Sequence, residues 1–146
     1  MAPMSNAART GPAYPVSVKG VLVRDGRVLL LKNEREEWEL PGGKLERGED
    51  PAVCVAREIT EETGLPVITG PILDSWQYHI GEGRDVVIVT YGCHTDSSQP
   101  PTLSDEHQKI GFFTPADVDS LNMPAGYRRS IRSWFTRLAT ADDGGA

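Results

Sequence analysis

Asp50-Pro51-Ala52-Val53-Cys54-Val55-Ala56-Arg57-Glu58-Ile59-Thr60-Glu61-Glu62-Thr63-Gly64 reads as one helix with both ends marked. Asp50 is an N-cap residue followed by a proline at the first helical position, and Gly64 is the matching C-terminal stop, so the helix runs over 51–63. Ala52, Val55, Ala56 and Ile59 recur at three- and four-residue spacing, which predicts a face packed on a sheet. The same spacing gathers Glu58, Glu61 and Glu62 to one side of that stripe. Each like-charge pair costs roughly 0.2–0.5 kcal/mol, and carboxylates in a last turn oppose the helix dipole at roughly 0.3–1 kcal/mol each. A bound divalent cation removes that penalty, and hard oxygen ligands suit Mg²⁺ or Mn²⁺. The alternative is a solvated acidic face.

Outward from the helix, the chain alternates between strand and turn signals. Residues 16–24 and 27–33 read as strands joined by the Asp25-Gly26 hairpin pair, and 38–40 as a short strand. Pro41-Gly42-Gly43 marks a turn, and the stretch from there to the helix reads as loop. Beyond the helix, 66–80 and 84–95 are long strands around Gly81-Glu82-Gly83, with Val86-Val87-Ile88-Val89 the most apolar run and hence interior. A polar loop over 97–105, a strand over 109–114, a short helix over 115–121 and an amphipathic helix marked by Tyr127, Ile131, Phe135 and Leu138 complete the chain. Residues 1–15 read as a flexible lead, 16–141 as a single domain and 142–146 as a flexible tail. Periodicity does not order the strands into a sheet.

From Gly43 the chain reads glycine, five residues, Glu49, seven residues, Arg57-Glu58-Ile59, one residue, Glu61-Glu62, one residue, Gly64-Leu65. That pattern resembles the Nudix box in every fixed position. Weaker likeness extends to Trp38-Glu39-Leu40-Pro41-Gly42-Gly43 before it and from Glu106-His107 to Phe112-Phe113 after it. The resemblance implies an α+β fold, an α/β/α sandwich with a mixed sheet between helices. It also implies metal-dependent hydrolysis of a nucleoside diphosphate linked to another moiety. Carried over position by position, Glu58, Glu61 and Glu62 are metal-binding and catalytic carboxylates, with the carbonyl of Gly42 a further ligand. Arg57 and Glu49 are a charged pair that orients them; a plain surface ion pair is the alternative. Glu106 is the candidate outside the box for a metal ligand or base, and Asp105, Tyr78 and Phe113 are candidate substrate contacts.

Composition limits the substrate class. A chain of 146 residues with 38% hydrophobic content suits one small enzyme domain, and 21 acidic against 15 basic residues give a net charge of −6. Broad nucleic-acid binding through a basic surface is therefore disfavoured. A small-molecule nucleotide is the expected partner, with no membrane association and a homodimer left open. Two distant cysteines, Cys54 and Cys93, form no metal or redox motif, and with no apolar signal segment near the start a cytoplasmic setting is expected. The proline and tyrosine that mark the ADP-ribose and dinucleoside polyphosphate branches of the family are absent, since Gly81 stands near that position and Tyr78 comes earlier. A nucleoside triphosphate or modified nucleotide such as 8-oxo-dGTP is thus preferred over ADP-ribose or a nucleotide sugar. An interaction or sensing module without hydrolysis is the alternative of another class.

Overall fold

The computed structural model describes residues 11–144 of the chain. Of the expected lead and tail, 1–10 and 145–146 lie outside the described residues. Residues 11–15 precede the first strand without regular structure, and the last helix continues to Gly144.

β1 (Val16–Arg24) and β2 (Arg27–Lys32) form the hairpin that Asp25-Gly26 predicts, both turn residues taking positive φ, 53° and 75°. β3 (Trp38–Glu39) pairs with β2, α1 (Pro51–Thr63) follows, and β5 (Ile68–Gly81) and β6 (Arg84–His94) make a long antiparallel hairpin. β7 (Lys109–Phe113) returns to the far side of β2, and α2 (Pro115–Val118) and α3 (Ala125–Gly144) close the chain. The strand order is β3-β2-β1-β6-β5, and β1 runs parallel to β6, from Val16 opposite Val87 to Leu22 opposite Cys93. One parallel pair among antiparallel ones makes the sheet mixed, and the apolar run 86–89 lies on an interior strand.

Helices cover both faces. Val55, Ile59 and Cys54 of α1 pack with Val18, Leu22, Leu29 and Cys93, while Tyr127, Ile131 and Trp134 of α3 pack with Val21, Leu30 and Ile88. Strand residues alternate between faces, and small ones admit the helices. A Cβ on Gly20 would meet Ile59 at 2.5 Å on the α1 side, and one on Gly92 would meet the Trp134 ring at 2.5 Å on the α3 side.

Two sequence expectations shift. The Gly42-Gly43 stretch is a strand, β4 (Gly42–Lys44), rather than loop, because β1 offers it a backbone edge at Ser17, Val18 and Lys19. Glycine has little intrinsic strand preference, so the pairing is imposed by the neighbour. On α1 the sealed side is carried by Cys54, Val55, Ile59, Glu62 and Thr63, and Ala52 and Ala56 are only half-buried.

Gly92→Ala should lower stability by about 1–3 kcal/mol, the usual cost of overpacking a tight contact, measured as a lower urea midpoint with unchanged slope. An unaltered midpoint would mean that Trp134 can yield and does not fix the sheet to α3.

Candidate active site

The ends of α1 behave as the sequence dictates. The Asp50 carboxylate accepts a hydrogen bond from the Ala52 amide at 2.9 Å, and Gly64 ends the helix at φ 76°. Arg57 then ties the helix to the segment before it. Its Nε donates to Glu49 Oε2 at 2.7 Å and its Nη2 to Glu49 Oε1 at 3.0 Å, a bidentate pair, while the Glu46 amide donates to Glu49 at 3.3 Å. This pairing draws the Glu49 carboxyl down to about 2, chiefly through the hydrogen bonds from Arg57. Nη1 of Arg57 reaches back to Glu58 at 3.2 Å and to Glu61 at 3.2 Å. One guanidinium therefore holds two of the three box carboxylates.

The third is different. Glu62 is 7% exposed, and its Oε2 is buried with no hydrogen-bond partner. Its carboxyl is pushed up to about 7, first by burial, with Lys19, His107 and the Gly42 amide pulling the other way and Glu58 adding to the rise. Glu58 is also raised, by burial first, then by Glu61 and Glu106 against the opposing pull of Arg57. Its carboxylate lies 2.4 Å from where a Cβ of Gly43 would stand, so a larger residue there would displace the carboxylate from this position. Gly42 is constrained on the other side: at φ 146° a Cβ would sit 2.0 Å from the Val18 carbonyl oxygen.

Glu58, Glu61 and Glu62 line a hollow of about 270 Å³ together with Ser104, Asp105 and Glu106. The loop between β6 and β7 thus brings the predicted Asp105 and Glu106 opposite the helix. A residue pair not singled out by sequence holds that loop. His107 Nε2 and Glu39 Oε1 are 2.9 Å apart, both nearly buried, and Asn33 donates to Glu39 Oε2 at 3.2 Å. Burial would raise the Glu39 carboxyl, but Lys19, the His107 and Asn33 hydrogen bonds and the His107 charge bring it to about 2.

A separate cavity of about 330 Å³ is lined by Tyr78 and Tyr127, by four basic side chains, Lys19, Arg35, Lys44 and Arg84, and by the acids Glu39 and Asp85; through Glu39 it is tied to His107, the residue after Glu106 of the hollow. Tyr78 is therefore brought to a cavity, where its hydroxyl donates to Glu37 at 3.0 Å. Phe113 is not. Its ring packs edge-on against Trp38, with centroids 4.8 Å apart, because β7 turns that side chain toward the α2–α3 core. Lys19 and Glu39 escaped sequence reading; the available signal was a single charge inside an otherwise apolar strand at Lys19.

Among the described residues no three His, Cys, Asp or Glu side chains stand close enough together to enclose a metal. Arg57 Nη1 is hydrogen-bonded to both Glu58 and Glu61. The orphaned Oε2 of Glu62, set among hard oxygen donors, nevertheless fits a divalent cation. No helix among the described residues is long and apolar enough to cross a membrane.

Comparison with known proteins gives a consistent result. A family model described as the NUDIX domain matches residues 13–135. A MutT-like protein of Streptomyces ambofaciens is 36% identical over 94% of this chain and 82% of its own. A protein of Mycobacterium tuberculosis named putative 8-oxo-dGTP diphosphatase 2 is 29% identical over 90% of this chain and 92% of its own. The crystal structure of a MutT NUDIX hydrolase from Burkholderia pseudomallei superposes with a TM-score of 0.73 at 29% identity, covering 84% of this chain and 98% of that one.

The elevated Glu62 carboxyl has a signed consequence for the metal-free protein. Its value rises from 4.5 in the unfolded chain to about 7 in the folded one, so over that interval the folded state binds more protons and stability falls as pH rises. The full loss is on the order of 3 kcal/mol, complete above the folded value. With chelator present, Glu62→Gln should be more stable than the parent at about pH 8, and the difference should shrink toward about pH 5. Urea unfolding at both values tests this, and parallel pH profiles for the two proteins would rule it out.

Proposed function

The chain belongs to the Nudix family of hydrolases, and from that premise we propose that it cleaves a nucleoside diphosphate linked to another moiety, with a nucleoside triphosphate or an oxidised nucleotide such as 8-oxo-dGTP as substrate. The observation that carries this reading is the carboxylate hollow, tied through His107 and Glu39 to a cavity with basic walls. The name of the 29% identical Mycobacterium relative supports the choice of an oxidised nucleotide. ADP-ribose and nucleotide sugars are the competing substrates. Residues 16–141 act as one hydrolase domain, and two buried free cysteines suit a reducing, cytoplasmic setting.

In this reading Glu58, Glu61, Glu62 and the Gly42 carbonyl, joined by Glu106, would hold Mg²⁺ or Mn²⁺. When bound, the cation neutralises the pyrophosphate and makes water more acidic, which phosphoryl chemistry needs more than covalent help. The Glu62 atom available to it would be Oε2, which has no partner. Arg57 would release Glu58 and Glu61 to the cation while its bidentate pair with Glu49 keeps loop and helix in register. Glu106, exposed across the hollow, would either complete that ligand set or stay outside it and accept the proton of the attacking water at its carboxylate. Asp105 and Tyr78 contact the nucleoside, and the cavity admits it; 330 Å³ is within the usual range for small-molecule sites.

A hydrolysis screen over nucleoside triphosphates, 8-oxo-dGTP, ADP-ribose, dinucleoside polyphosphates and nucleotide sugars, with Mg²⁺ and with Mn²⁺, tests the assignment. Turnover of none of them would return the chain to a non-catalytic module. Glu58→Gln and Glu62→Gln should each reduce kcat by at least about a hundredfold, and near-parental rates in both would remove the site from α1.

Arg57→Ala and Glu49→Ala should each weaken activity and metal binding about 10- to 100-fold, the range for residues that aim ligands. The double variant should be little worse than the worse single one. Fully additive losses in that cycle would show that the two act independently.

A further inference from the structure

We propose that Lys19 binds the phosphate oxygens of the substrate at the border between the basic cavity and the carboxylate hollow. This rests on the nucleotide-hydrolase reading above, and it assigns the anion contact to a residue outside the box.

Position comes first. Lys19 is centrally placed on β1, directly opposite Gly42 in the β1–β4 register. Its stem passes over that glycine, since a Cβ on Gly42 would lie 2.8 Å from the Lys19 Cα and 3.0 Å from its Cδ. By strand alternation it shares the face of Val21, and with Tyr127 it lines the cavity. Glu62 and Glu58 lie close enough to act on its charge. The side chain therefore spans from the cavity toward the hollow.

Its lack of partners comes second. No ion pair within 4 Å and no hydrogen bond to the ammonium exists among the described residues. The nearby carboxylate that could supply one, Glu39, is already engaged at both oxygens, by His107 at 2.9 Å and by Asn33 at 3.2 Å. Arg57 occupies Glu58 and Glu61. Burial works against the charged form, yet Tyr127, Glu39, Glu62 and Glu58 together hold the ammonium charged. At neutral pH the Tyr127 hydroxyl is itself uncharged, its proton retained up to about 12, so the carboxylates supply the attraction. A partly enclosed cation without a contact is costly to fold. It becomes favourable when an anion arrives.

Chemistry selects the anion. Any ligand reaching Lys19 also faces three carboxylates, Glu39, Glu58 and Glu62, so a single carboxylate gains little there. A phosphate offers several charged oxygens, some for the ammonium and others for a cation held by the glutamates, and lysine presents three donors on a compact charge suited to that role. Arg35, Lys44 and Arg84 on the same cavity wall favour entry of an anion.

The test separates anion binding from a structural counter-charge. Binding of dGMP and of deoxyguanosine to metal-free protein would be measured by calorimetry for the parent and for Lys19→Met. The expected result is a loss of about tenfold or more for dGMP, in line with a hydrogen bond to a charged group, and less than about a twofold change for deoxyguanosine. Equal losses for both, or none for dGMP, would overturn the proposal. Should Lys19→Met fail to fold, the side-chain nitrogen resonance of Lys19 in the parent must shift with dGMP and stay fixed with deoxyguanosine; any other pattern counts against it. If the parent hydrolyses a nucleotide but Lys19→Met binds dGMP normally, this inference alone fails. If the parent binds and hydrolyses no nucleotide, the functional reading falls with it.

Discussion

The bidentate pair between Arg57 and Glu49, at 2.7 and 3.0 Å, is the interaction on which the site depends. A helix carrying three glutamates on one side is under internal repulsion, and the segment leading into it contains five glycine or proline positions from 41 to 51. Neither part has a local reason to hold one orientation. The guanidinium supplies it, because its rigid fork fixes both the distance and the plane of the Glu49 carboxylate. Its remaining nitrogen reaches Glu58 and Glu61, so the same group that joins the two segments also offsets the crowding of charge. Packing of Val55 and Ile59 on the sheet sets where the helix lies. Arg57 sets what precedes it.

Local signals were legible in the sequence because their causes are local. Asp50, Pro51 and Gly64 determine the ends of α1 through caps that each involve a few neighbouring atoms, and Asp25-Gly26 determines its turn through positive φ. The box carboxylates follow from helical spacing. What sequence left unread depends on partners far along the chain. β4 exists because β1 lends an edge to two glycines. Glu39 acquires its role from His107, 68 residues later, and its depressed carboxyl from Lys19. Phe113 shows the converse: an aromatic beside a candidate site in sequence, yet turned into the core by the strand it occupies. Asp105 and Glu106 were reachable only through the resemblance, since nothing within their own loop distinguishes them.

Net charge and local charge point in opposite directions here. The chain carries −6 overall, which repels a nucleotide at a distance, yet four basic side chains meet at one cavity. With a Debye length of about 8 Å at physiological salt, an approaching anion responds to those nearby cations more than to acids on the far surface. The acidic hollow needs the opposite partner. Two sites of opposite sign match a ligand that arrives as an anion with its counter-cation.

β1 forms most of its ladder with a strand that arrives about seventy positions later, Val16 with Val87 through Leu22 with Cys93. The turn at Asp25-Gly26 joins it to β2 over just two register pairs, Val23 with Val28 and Arg24 with Arg27. As the chain emerges from the ribosome, Val18, Val21 and Leu22 must therefore wait, unburied, while some sixty further residues are added, and closing so large a loop is slow. α1 can coil early from its own caps, but it has no floor until β6 docks. Assembly of the hydrolytic centre is thus a late event in folding, and a ribosome stall within 65–85 would leave a nascent chain with its apolar strand open to chaperones.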